Sequence, residues 1–259
     1  MMENFVLYEI NERIAWITLN RPEKRNALSY AFVAELKSTI NQAIHDANCK
    51  VIVLKSAGET FCSGADLESL QKLQSNTYEE NLEDSKHLQE LFLMIYESPK
   101  PVISMVDGQA FAGGCGLATI CDFCFASHNA KFAYTEVKIG FIPAIVMVFL
   151  LRKIGEQAAR KILLTGDVFD VETAKDLGLI HAIYESEILE EKVREFALRL
   201  CKQTSAQSLA LTKEMISKVQ NLGLYDALQY ASEMNAKARA SEDCKKGISA
   251  FLNKEKLQW

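Results

Sequence analysis

Two short turns are the segments of this sequence whose residue types and spacing suggest chemistry. "FCSGADL" (Phe61 to Leu67) and "AFAGGCGL" (Ala110 to Leu117) are built from small side chains. Each follows an apolar run that reads as a buried strand and leads into a stretch that reads as a helix. Backbone N–H groups at a helix start have no partner within the helix and point outward, where they bind developing negative charge. Small side chains let a ligand come within hydrogen-bonding distance of them. The second turn lies in "GQAFAGGCGLATICD" (Gly108 to Asp122), which holds four glycines. Each costs about 1 kcal/mol relative to alanine in a helix interior, so a bare backbone there serves some purpose. Taken alone, either turn is also accounted for by close packing of a helix on a strand.

Other chemistries find little support. The sequence has no GxxxxGK[ST] and no HExxH, and His45, His87, His128 and His181 fall in no catalytic or metal-ligand spacing. Cys121 and Cys124 form an isolated CxxC, which without a second ligand pair reads as two small buried residues rather than a zinc or redox site. Cys62 and Cys115 flank the glycine-containing turns, but a nucleophilic thiol needs a neighbour that lowers its pKa, and no histidine stands in a recognisable partner motif. No metal is expected.

The elements that must position the turns follow from periodicity. "FVLYEI" (Phe5 to Ile10) and "IAWITL" (Ile14 to Leu19) alternate around a polar "NER" and read as a β-hairpin. Pro22 ends the strand pattern, and Ser29 is placed to cap a helix whose apolar residues Phe32, Val33, Leu36, Ile40, Ala43 and Ile44 recur at helical spacing. "VIVLKS" (Val51 to Ser56) and "PVISMVDG" read as buried strands, and "CDFCFAS" and "KFAY" supply more. Strand, turn and helix alternate to about Ala182, an α/β signature with mostly buried strands. Beyond Glu185 the pattern is helical only, with Leu224, Ala227, Leu228, Ala231, Met234 and Ala238 on one apolar face. The expected division is a core over 1–195 and a helical region over 196–259.

At 259 residues the chain is long enough to bury a large core. A formal charge of -5, with Lys and Arg scattered among Asp and Glu, argues against nucleic acid or an anionic membrane as the main partner. The longest apolar run, Ile139 to Leu151, contains Gly140 and Pro143 and is too short to span a bilayer. The first residues lack an apolar stretch of signal-peptide length, and seven cysteines without framework spacing fit a reducing compartment. The expectation is a cytoplasmic protein.

"ISMVDGQAFAGGCGLATICDF" (Ile103 to Phe123), "LNRPEKRNAL", "FCSGADL" and "AKFAYTEVKIGFIP" resemble, in order, the motifs of the crotonase superfamily, the enoyl-CoA hydratases and isomerases. The resemblance extends over essentially the whole chain, including "FLNKEK" near its end, and looks most like bacterial methylglutaconyl-CoA hydratases of leucine catabolism. It implies an α/β fold, a spiral of repeated ββα units with a helical carboxyl-terminal region that mediates trimers, often paired into hexamers. It also implies an acyl-CoA thioester substrate, with coenzyme A part of that substrate and no separate cofactor. The amides of Ala65 and Gly113 would hold the thioester oxyanion, each worth about 2.7–4 kcal/mol in the transition state. Glu136 would exchange a proton with the carbon skeleton, its pKa raised by the apolar "GFIPAIVMVF" beside it. Lys24, Arg25, Ala27, Ser63, Gly64, Asp66, Leu67, Gly114 and Gly116 would border the CoA or acyl moiety. Without the resemblance, Lys24, Arg25 and Glu136 read as solvated charges.

One departure bears on the reaction. Many hydratases of the superfamily carry a second glutamate where this sequence has Gly116. Three functions remain open: hydration with Glu136 alone or with help from a substrate carboxylate, 3,2-enoyl-CoA isomerisation, which needs one carboxylate, and acyl-CoA binding without turnover.

Overall fold

A computed structural model describes residues 4–259. The first two strands, β1 (Val6–Asn11) and β2 (Ile14–Leu19), pair antiparallel as the alternation predicts, Val6 opposite Leu19 and Asn11 opposite Ile14. Glu12 and Arg13 turn the hairpin at φ 51° and 66°, the left-handed pair that lets a two-residue loop follow the twist of its strands. Ser29 caps α1 (Tyr30–His45) by accepting from the Phe32 N–H, and the helix lays Phe32, Leu36 and Ile40 into the core.

Three strand-strand-helix units follow. The first comprises β3 (Val51–Ser56), β4 (Thr60–Cys62), α2 (Leu67–Leu73) and α3 (Tyr78–Tyr96). The second is β5 (Val102–Val106), β6 (Gln109–Phe111) and α4 (Gly113–Ile120), and the third is β7 (Phe123–Ser127), β8 (Lys131–Ala133) and α5 (Ala144–Thr165). In each, the longer strand joins one sheet and the shorter strand a second. After α5 come β9 (Phe169–Asp170), α6 (Val171–Asp176) and β10 (Ala182–Tyr184), and then only helices: α7 (Ser186–Gln203), α8 (Ala206–Val219), α9 (Leu224–Ala240) and α10 (Glu242–Leu252). The six-stranded sheet runs β1-β2-β3-β5-β7-β10, all parallel after the opening hairpin, and the four-stranded sheet runs β4-β6-β8-β9. This is the mixed α/β spiral that the sequence resemblance implies.

The parallel strands are covered on both faces, which accounts for their unbroken apolar runs. Every residue of β5 is buried. One face packs on α1, α3 and α4, and the other on α7, whose Leu189, Val193, Ala197 and Cys201 meet Ile14, Trp16, Val53, Ile103 and Phe125. The division drawn at residue 195 therefore falls inside α7, a helix that belongs to the sheet it covers. The apolar face read along α9 is buried at Met234 and half-buried at Ala227, Ala231 and Ala238, while Leu224 and Leu228 stay exposed. Among the described residues no helix is long and apolar enough to cross a membrane.

Candidate active site

The first small-residue turn is held open by its neighbours. Beyond Cys62 the chain passes through Gly64 at φ 91°. Leu28 donates its N–H to Gly64 O at 2.7 Å and accepts from the Asp66 N–H at 3.2 Å, a parallel bridge with Ala65. Those two bonds use the groups on either side of Ala65. Its own N–H points to the opposite side, where no acceptor meets it among the described residues.

The second turn enters a helix through a strained residue. Ala112 sits at φ 48°, ψ −125°, a conformation costing an L-residue about 1–3 kcal/mol and found mainly at functional sites. Its N–H donates to Ala133 O at 2.8 Å, and its carbonyl accepts from the Gly116 N–H at 3.1 Å. Gly113 opens α4, and its N–H likewise has no acceptor among the described residues. A Cβ on Gly64 would stand 2.9 Å from Ala112 Cβ and 3.5 Å from Gly113 N. The absence of that side chain is what lets the two turns abut, with an unpaired amide in each.

Glu136 lies just past the end of β8, as the first residue of a one-turn 3-10 helix. It is 9% exposed, and its Oε2 is fully buried with no hydrogen-bond partner. Burial raises its pKa above the usual carboxylate range, opposed only by a bond from its own backbone N–H. The segment that carries it is tied to α4 by two bonds, from the Ala112 N–H to Ala133 O at 2.8 Å and between the Tyr134 and Thr119 hydroxyls at 2.9 Å. A buried, unpaired carboxyl oxygen on a segment tied to the Gly113 turn, with an unpaired amide in each of two abutting turns, is an arrangement that can trade a proton with a ligand whose oxygen the amides hold.

Several residues expected at the border of a CoA thioester have other work. Asp66 is turned inward: one oxygen accepts from the Glu68 N–H at 2.9 Å and caps α2, and the other pairs with Arg21 at 2.8 Å. Burial pushes its pKa up, but the Glu68 amide and Arg21 together outweigh that and hold it low. With both oxygens engaged, it braces the turn. Gly114 is a packing glycine, since a Cβ there would stand 2.2 Å from Cys62 O. Ala27 is buried, as is Leu28 beside it in the chain. Ser63 donates its N–H to Arg25 O at 3.1 Å, which ties Lys24 and Arg25 to the lip of the turn. Both cations are exposed; Lys24 reaches Glu68 at 3.2 Å. Leu67 is 76% exposed at the start of α2.

Position 116 differs most from expectation. A side chain is lacking, but no space is left by it: a Cβ there would lie 2.2 Å from Val146 Cγ1 and 3.0 Å from Phe92 Cε1. Helices α3 and α5 close over this turn of α4 with apolar side chains. The thiols are inert, those of Cys62 and Cys121 pushed by burial to about 12 and that of Cys124 to about 11.

Sequence reasoning missed the residues that brace the turns. Asn26, fully buried, accepts from the Arg21 N–H and donates to Ala57 O and Thr60 O. Tyr134, also fully buried, reaches Thr119 Oγ1 on α4 at 2.9 Å. Proximity in the chain could have flagged Asn26, which adjoins the Lys24–Arg25 pair; nothing in periodicity marks Tyr134.

Comparison with known proteins finds matches over nearly the full chain. The enoyl-CoA hydratase/isomerase family model matches residues 9–259. A "Putative enoyl-CoA hydratase" of Thermus thermophilus is 39% identical over 93% of this chain and 95% of its own. The crotonyl-CoA hydratase of Syntrophomonas wolfei is 31% identical over 99% and 98%. The crystal structure of an enoyl-CoA hydratase of Mycobacterium smegmatis superposes with a TM-score of 0.92, at 28% identity over 99% of each chain. A family model spanning both turns and Glu136, with relatives matched end to end, shows that the chain belongs to the enoyl-CoA hydratase/isomerase family.

Proposed function

We propose that this protein is an enoyl-CoA hydratase, adding water to an α,β-unsaturated acyl-CoA thioester with the amides of Ala65 and Gly113 as oxyanion donors and Glu136 as its one acid/base. The observation that carries the reading is the buried, partnerless Glu136 Oε2. An unpaired buried polar atom costs about 1–3 kcal/mol, a cost that a substrate proton or water would relieve.

In this scheme Glu136, as carboxylate, takes a proton from water while the water oxygen bonds to the β-carbon. The C=C electron pair moves onto the thioester oxygen, where the two amides receive the charge at about 2.7–4 kcal/mol each. The carboxyl then returns the proton to the α-carbon as the oxyanion collapses, leaving a 3-hydroxyacyl-CoA and an ionised Glu136. Atoms and charges balance with a single carboxylate. Lys24 and Arg25, exposed at the lip, suit the phosphates of CoA, with Ser63 and Leu67 on the approach. Coenzyme A belongs to the substrate, and the scheme calls for no separate cofactor.

Val146 and Phe92 occupy the space over Gly116, which leaves no room there for a substrate carboxylate. The name of an Escherichia coli relative, 2,3-dehydroadipyl-CoA hydratase, supports a carboxylated substrate; of the two compounds to be tested, crotonyl-CoA is supported by the name of the Syntrophomonas relative and 3-methylglutaconyl-CoA by the sequence resemblance. The test is the conjugated thioester absorbance of both compounds with purified protein in water. Loss of the crotonyl-CoA signal is expected; no change with either compound overturns the reading. The same apolar filling favours a second reading, 3,2-enoyl-CoA isomerisation, in which Glu136 moves one proton between carbons and no water is activated. Conversion of a 3-enoyl-CoA to the conjugated isomer without subsequent hydration would establish it.

A further inference from the structure

Glu136 and the Gly113 amide belong to separate segments, and catalytic groups misplaced by about 1 Å lose on the order of a hundredfold in rate. Two bonds tie the segments together. Ala133 O accepts from the Ala112 N–H at 2.8 Å, immediately before Gly113. One residue on, Tyr134 carries its hydroxyl to Thr119 Oγ1 at 2.9 Å. Thr119 donates its own hydroxyl proton to Cys115 O at 2.9 Å, so it accepts from Tyr134. Both residues are buried, Tyr134 completely. A phenylalanine ring would fill nearly the same volume without bringing a hydroxyl into an apolar layer, where a polar group is costly unless paired. The hydroxyl pins the chain to α4 two residues before Glu136.

We propose that Tyr134 is a positioning residue: its hydrogen bond to Thr119 sets the Glu136 carboxyl against the amide that opens α4. The inference rests on the hydratase reading for its rate readout. Tyr134→Phe is expected to lower kcat on crotonyl-CoA ten- to a hundredfold while KM stays within twofold, the signature of an interaction made in the transition state. Thr119→Val, which removes the other end of the bond, should match it. The double variant should be no worse than either single one, and Thr119→Ser should keep wild-type kcat.

A second readout needs no turnover. In a carbon-13 titration of labelled glutamate, the Glu136 carboxyl, displaced upward in the wild type, should move in Tyr134→Phe. The inference is overturned by kcat within twofold of wild type, by Thr119→Ser as impaired as Thr119→Val, or by kcat and KM changing together with a fallen unfolding midpoint. If Tyr134→Phe fails to fold, the two Thr119 variants carry the test. A wild-type protein that leaves crotonyl-CoA untouched overturns the hydratase reading instead, and the titration then decides alone: an unmoved Glu136 overturns the positioning role.

Discussion

Glu136 is held where its charge is disfavoured, and that has consequences for stability as well as rate. Burial raises its pKa. Between the ordinary glutamate value and the raised one, the native state binds more protons than the unfolded chain, so stability falls as pH rises through that window. Below the window both states are protonated and the effect vanishes; above it the full cost is present. Glu136→Gln lacks this cost. Its unfolding midpoint should lie above that of the wild type at about pH 8, and the two should converge toward about pH 4. Equal midpoints at both pH values would sink this account of the carboxyl. The same variant should bind acyl-CoA as the wild type does and lose roughly a hundred- to ten-thousandfold in rate, whereas a protein that binds without turnover would change in neither. Glu136 was legible in the sequence because one motif carries it. The inward turn of Asp66 was not, because its partner Arg21 lies 45 residues away and residue type alone does not say which carboxylate finds a cation.

The helices meet the site through seams whose tightness is set by glycines. At Gly116, α4 lies so close to α5 and α3 that a single methyl would collide with Val146. Gly116→Ala should therefore cost about 1–3 kcal/mol, as overpacking does, and adding Val146→Ala should recover part of it. Denaturant unfolding measures both, and a Gly116→Ala protein as stable as the wild type would mean that the seam is loose. Helix ends show a second device. The Lys50 ammonium donates to Cys201 O and Thr204 O at the end of α7, that of Lys100 to Ala43 O and Asp46 O at the end of α1, and that of Lys153 to Thr119 O and Cys121 O at the end of α4. Cations suit the carbonyl ends of helices, both as donors and against the dipole. These caps come from distant segments. The N-terminal cap at Ser29 was legible since it is local, and the lysine caps were not. The same limit explains why the division at residue 195 runs through α7: the stripe on α7 has the period of the face on α9, and periodicity says that a face is apolar without saying what covers it.

For the whole molecule, what matters is the apolar surface that the chain leaves uncovered. Tyr225 is 84% exposed, Phe251 83% and Leu252 72%, and Leu224, Leu228 and Ile248 are also exposed on the last helices. Single exposed apolar residues are ordinary, but several large ones concentrated on consecutive helices mark a surface that associates. Met234 shows that α9 does bury a side chain within its own chain, so the uncovered residues are what its partners α8 and α10 cannot reach. We propose that this surface joins copies of the chain, the trimer or hexamer implied by the sequence resemblance. Burying one such side chain contributes about 1.5–3 kcal/mol, and each 1.4 kcal/mol is tenfold in affinity. Replacing Phe251 and Leu252 with glutamate places two charges on the surface without touching Glu136 or either small-residue turn. The mass in solution, measured by light scattering, should fall from an assembly to a single chain. A wild type that is already monomeric sinks the assembly itself; a double variant that keeps the wild-type mass sinks its placement on the last helices.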